Sequence, residues 1–172
     1  LLEQYHEGLI CSSACLGGEV LQHLLKNDYE GAKAVAKRFK DLFGEDYYIE
    51  LQDHNLDDQK RTNPDLIRIA KELDIKMIIT NDSHYLHKED ADWHDTLLCM
   101  QTKSSKSDTN RFHFPNNEFY VKTVSELRDA FKWMDTDTFN ECIKNTVDIC
   151  KKCHITVEWK APLPDFPVPA GY

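Results

Sequence analysis

Short apolar runs alternate with helical stripes through the first half of the chain. Leu9-Ile10-Cys11, Tyr47-Tyr48-Ile49-Glu50-Leu51 and Met77-Ile78-Ile79 are brief, rich in aromatic or β-branched residues, and open into polar loops, the pattern of strands buried between helices. Between them apolar residues fall at helical spacing. Val20, Leu21, Leu24 and Leu25 follow Glu19; Tyr29, Ala32, Val35, Ala36, Phe39, Leu42 and Phe43 follow the cap Asp28 and stop at Gly44. Leu66, Ile67, Ile69, Ala70 and Leu73 form a third stripe, in a helix that Asn63-Pro64 is expected to open because proline suits a first turn. Leu1 to Glu7 reads as a further helical stretch stopped by Gly8. Such alternation predicts a parallel α/β architecture, with chemistry at the carboxyl ends of the strands.

After His84 the rhythm changes. A helix is expected from about Glu89 to Gln101, carrying Trp93, Thr96, Leu97 and Met100, and then a polar Ser/Lys-rich loop over 102–110. Phe119-Tyr120-Val121 is a candidate short strand. Ser125 is placed as the cap of a helix with Leu127, Ala130 and Phe131, and Thr138 to Cys153 supplies one more, with Phe139, Cys142, Ile143, Thr146, Val147 and Cys150. Four prolines between Ala161 and Pro169 forbid a helix or central strand. That tail reads as an extended connector to another domain.

Composition narrows the classes. The 172 residues suffice for a core of ordinary size, and a net charge of −9 argues against a surface that grips nucleic acid by bulk electrostatics. No apolar run is long enough for a membrane span. Six cysteines lie inside apolar patterns without a short disulfide framework, so buried, reduced thiols and a cytoplasmic setting are expected. Opening in mid-helix without an initiator Met, the chain reads as a fragment of something larger.

The strongest candidate chemistry is Thr80-Asn81-Asp82-Ser83-His84-Tyr85, at the end of the third strand. In an extended segment Asp82 and His84 face the same side, and carboxylate plus imidazole suits a divalent metal. The alternative is a turn in which Asn81, Asp82 and Ser83 bond nearby backbone. Cys150-x-x-Cys153-His154 lacks a second pair at zinc spacing. Lys103, Lys106 and Arg111 could meet phosphates, though a solvated loop suits so acidic a chain better.

Several blocks together resemble one family. Glu7-Gly8-Leu9-Ile10, Ser13-Ala14-Cys15-Leu16-Gly17-Gly18-Glu19, Tyr48-Ile49-Glu50-Leu51-Gln52-Asp53-His54, Thr80 to Leu86, His94 to Cys99 and Leu163 to Pro169 are similar, in order and spacing, to bacterial DNA polymerase III alpha subunits of the DnaE type. The resemblance covers the C-terminal half of the polymerase and histidinol phosphatase (PHP) domain and the start of the connector to the palm. It implies a partial distorted (β/α)7 barrel over residues 1–104, a mainly helical segment over 105–160 and a Pro-rich extended tail over 161–172.

By position, the resemblance makes Cys15, Asp82 and His84 metal ligands, with zinc or manganese as the divalent ion. His54 and Glu50 become candidates for bonding a ligand or the substrate. It implies a parent that synthesises DNA with magnesium at palm carboxylates outside this chain. DNA, a sliding clamp and a proofreading exonuclease would be its partners. A complete PHP domain would be a metal-dependent phosphoesterase, such as a 3′-5′ exonuclease or a pyrophosphatase, while the fragment alone would be inactive. The alternative is a silent PHP scaffold that docks a separate exonuclease and supports the polymerase core.

Overall fold

A computed structural model describes residues 1–157 and 159; the Pro-rich tail expected over 161–172 lies outside the described residues. The element order is α1 (Leu2–Tyr5), β1 (Cys11–Ser12), α2 (Glu19–Leu25), α3 (Tyr29–Phe43), β2 (Tyr47–Leu51), α4 (Asp57–Glu72), β3 (Lys76–Ile79), α5 (Ala91–Thr102), α6 (Val124–Ala130) and α7 (Thr136–Lys152), with 3-10 turns at 44–46 and 88–90. The three strands form one parallel sheet in the order β1-β2-β3, with Cys11 opposite Tyr47 and Tyr48 to Leu51 opposite Lys76 to Ile79. Parallel neighbours require crossovers, and α2 with α3, then α4, supply them.

Period-2 alternation along β2 divides its two faces. Tyr47, Ile49 and Leu51 enter a core shared with Val20, Leu24, Ala32, Ala36, Leu66 and Ile69 from the crossover helices, while Glu50 stays half-exposed on the other face. Phe131, Met134, Phe139 and Cys142 belong to the same core, so α6 and α7 pack with the sheet. On the side of β3 away from β2, Asn145 Nδ2 donates to the Met77 carbonyl (2.9 Å) and the Thr146 hydroxyl donates to the Ile79 carbonyl (3.1 Å). Helix α7 thereby satisfies carbonyls that an edge strand leaves open.

Several expectations are corrected. Helix α4 starts at Asp57, so Pro64 lies inside it. The ring faces solvent, where water can satisfy the carbonyl that loses its helical donor. The face Gln59, Thr62, Asn63, Leu66, Ile69, Ala70 is buried throughout, but its first three members are polar and hid the helix start. Thr123, rather than Ser125, caps α6 through a reciprocal box with Glu126. Phe119 to Val121 form only a bridge, Tyr120 with Tyr85. On α5, Trp93, Leu97 and Met100 are exposed, whereas Cys99 is buried. Among the cysteines only Cys99 and Cys142 are buried; Cys15, Cys150 and Cys153 are exposed.

Candidate metal centre

The carboxyl ends of all three strands meet at Glu50. Its carboxylate accepts from the Ser12 hydroxyl at the end of β1 (2.5 Å), the Thr80 hydroxyl just past β3 (2.5 Å) and Gln52 Nε2 (3.1 Å). Glu50 is therefore a clamp across the strand ends, with its lone pairs engaged by neutral donors. Cys15 follows Ala14, which has a positive φ of 58°, and lines a small void with Glu50, Gln52 and Gln59.

Beyond β3 the loop 80–85 divides its labour. Asn81 and Ser83 do the work of a turn: Asn81 Nδ2 donates to Ser83 Oγ (2.8 Å) and to the Tyr120 carbonyl (2.5 Å). The Asp82 carboxylate is left to His84, with Oδ1 3.0 Å from Nε2 and both side chains partly exposed. Two donors held about 2.0–2.2 Å from one zinc at a tetrahedral angle stand roughly 3.4 Å apart. At 3.0 Å the pair has the spacing of a hydrogen bond, and an opening of about 0.4 Å brings it to that of two ligands on one ion. Backbone bonds from His84 N–H to the Phe119 carbonyl (2.8 Å) and from Val121 N–H to the Tyr85 carbonyl (3.2 Å) fix the loop against the 119–121 segment.

His54 supports this loop from beneath. It is 1% exposed, lies parallel to the Phe119 ring at 4.8 Å, and its Nε2 accepts the Asp82 backbone N–H (3.1 Å). With Nε2 accepting, the ring proton of neutral His54 falls on Nδ1, so the 3.1 Å approach of Gln59 Nε2 sets two N–H groups side by side and is a packing contact rather than a hydrogen bond. Gln59 Oε1 also accepts the His54 backbone N–H (2.7 Å), and Asn116 Nδ2 donates to the His54 carbonyl (2.8 Å). Burial, aided by the Lys122 charge, pushes the imidazole below its ordinary 6.5, which favours the neutral ring this bonding needs.

Around His84 lies a cluster of rings. Phe114 is 4.6 Å and His94 5.6 Å from it, centre to centre, and Tyr85 is 5.3 Å from His94. His94 is held below its usual value by burial and by the His84 charge. Arg111 and Lys106, candidates for phosphate contact, instead pair with Asp95 (2.5 Å) and Asp92 (2.6 Å) on α5.

The structure brings Asp82 and His84 together, with His54 beneath them, and places Cys15 beside Glu50. Among the described residues no group of three or more His, Cys, Asp or Glu side chains could hold a metal ion. The residues present fit two ligands of a divalent ion, and a complete coordination shell needs further donors. Sequence reasoning gave no site role of their own to Gln59, Phe119, Ser12 or Thr80, although Thr80 opens the candidate stretch and Phe119 the expected short strand. Only the polar continuation of the α4 face at Gln59 and Asn63 signalled any of them.

Residues 1–54 match the PHP domain family. The chain is 41% identical over 99% of its length to DNA polymerase III subunit alpha of Deinococcus radiodurans, covering 13% of that protein. The subunit of Borreliella burgdorferi is 40% identical over 99% of the chain, with 15% of it covered. That of Treponema pallidum is 40% identical over 95%, with 14% covered. The chain is similar, from end to end, to one segment of DNA polymerase III alpha subunits. It spans 13 to 15% of the length of these relatives. The Asp82–His84 loop lies beyond the matched PHP residues but inside the segment aligned with the alpha subunits. No helix among the described residues is long and apolar enough to cross a membrane.

Proposed function

We propose that this chain is part of a bacterial replicative DNA polymerase, and that Asp82 and His84 are two ligands of a metal-dependent phosphoesterase centre in its PHP region. The observation that carries the reading is their 3.0 Å approach on a loop held by His54 and the 119–121 segment. A bound divalent ion, zinc or manganese, would supply Lewis-acid polarisation of a phosphoryl oxygen. The chain's own contribution is to orient the two donors, with His54 fixing the Asp82 backbone. Cys15, beside Glu50, is a further donor to the same barrel mouth in this proposal, and Glu50 holds the strand ends that shape it.

The partial (β/α)7 barrel, its division at residues 104 and 160, the Pro-rich connector and the cytoplasmic setting belong to the same proposal. So do polymerisation with magnesium elsewhere in the parent, and binding of DNA, a sliding clamp and a proofreading exonuclease. A silent scaffold is the second reading, favoured by the convergence of only two donors among the described residues. Cleavage of a 3′-terminal phosphodiester by the parent polypeptide, depleted of any separate exonuclease, separates the two. The proposal expects metal-dependent cleavage that Asp82→Ala lowers at least a hundredfold. Cleavage unaffected by that change would overturn it.

A further inference from the structure

The rings beside the Asp82–His84 pair leave a cleft rather than closing into a core. Tyr85, His94 and Phe114 remain half-buried, and with Ala91, Leu98 and Arg111 they line a space of about 290 Å³. Its wall is built: Arg111 grips Asp95 through both terminal nitrogens (2.5 and 2.8 Å), and its side chain is only 12% exposed. That bidentate pair locks the 111–114 segment against α5. His94 stands 5.0 Å from Phe114, 5.3 Å from Tyr85 and 5.6 Å from His84, ring to ring. No hydrogen bond to its imidazole occurs among the described residues.

We propose that this cleft is a nucleotide subsite, taking one nucleobase against the Tyr85, His94 and Phe114 rings with the attached phosphate toward Asp82 and His84. The inference rests on reading that pair as a phosphoester centre, and it names the group that flanks the scissile bond. Aromatic rings stack any base on its π-face, and the free imidazole nitrogens of His94 can bond a base edge. The charges at the cleft are already paired, Asp95 with Arg111 and Asp92 with Lys106. Recognition therefore falls to rings rather than to net charge. A net charge of −9 opposes gripping a long strand by bulk electrostatics, which suits a single terminal nucleotide.

Photocrosslinking of the intact parent polypeptide with 5-iodo-deoxyuridine monophosphate tests this, with adducts mapped by mass spectrometry. EDTA is present throughout, so the result is independent of whether Asp82 and His84 hold a metal. Adducts are expected on Tyr85, His94 or Phe114, with yield falling about tenfold in His94→Ala and surviving in His94→Phe, which keeps the ring. Thymidine should compete and inorganic phosphate should not. No adduct in this segment, equal yields from wild type and His94→Ala, loss in both variants, or competition by phosphate alone would each overturn the subsite.

Discussion

His54 decides more of the local geometry than either side chain it supports. Its ring accepts the Asp82 N–H, stacks on Phe119 and meets Gln59, so one imidazole ties together the end of β2, the first turn of α4 and two loops. His54→Leu keeps bulk but leaves the Asp82 N–H without its acceptor and removes the stack on Phe119, a loss of about 2–4 kcal/mol together. Urea unfolding at neutral pH should show that deficit; a change below about 0.5 kcal/mol would mean the ring is mere filler. The Asp82–His84 pairing was legible in the sequence because two-residue spacing in an extended segment puts both side chains on one side. The resemblance named His54 as a candidate for bonding a ligand, but that it holds the backbone of Asp82 and sits against Gln59 and Asn116 was not legible, because these polar partners carry no periodic signal.

The helices are joined to one another and to the sheet by carboxylates at their ends. Glu45, after α3, bonds Lys40 and Lys76 (2.8 and 2.9 Å), and Glu72 near the end of α4 bonds Lys33 of α3 (2.6 Å) and Arg68 (2.8 Å). Hydrogen bonds from these cations draw both carboxyls down to about 2. Since the folded values lie below the ordinary 4.5, the stability these groups contribute is complete above about pH 4.5 and is lost as the pH falls toward about 2. Thermal melts over that range should show a shallower acid limb in Glu45→Gln/Glu72→Gln, and the difference should shrink in high salt because the groups are exposed. Identical acid limbs would contradict the assignment. Strands β2 and β3 and the cores of α2 and α3 could be read from period and caps alone, whereas the run expected as the first strand, Leu9-Ile10-Cys11, enters β1 only at Cys11 and leaves Leu9 exposed. The start of α4 could not, because its buried face begins with Gln59, Thr62 and Asn63, nor could the edge cover by α7, which depends on Asn145 and Thr146 finding β3 carbonyls.

For the molecule as a whole, three parallel strands and their crossovers build one core, and strand ends gather Glu50, Ser12 and Thr80 at one rim. On α5 the stripe Trp93, Leu97 and Met100 stays exposed at 71, 61 and 72%. Sequence pattern marks such residues as apolar without saying which side of a helix the core takes, so this face was not foreseeable. In the proposed function this rim contributes Asp82 and His84, with Cys15 as a further donor, to a metal centre completed by other donors of the parent polypeptide. Metal content of the purified parent, measured beside its Asp82→Ala and His84→Ala forms, tests that claim most directly. Zinc or manganese is expected in the wild type and its loss in both variants; equal stoichiometry in all three would exclude both residues as ligands.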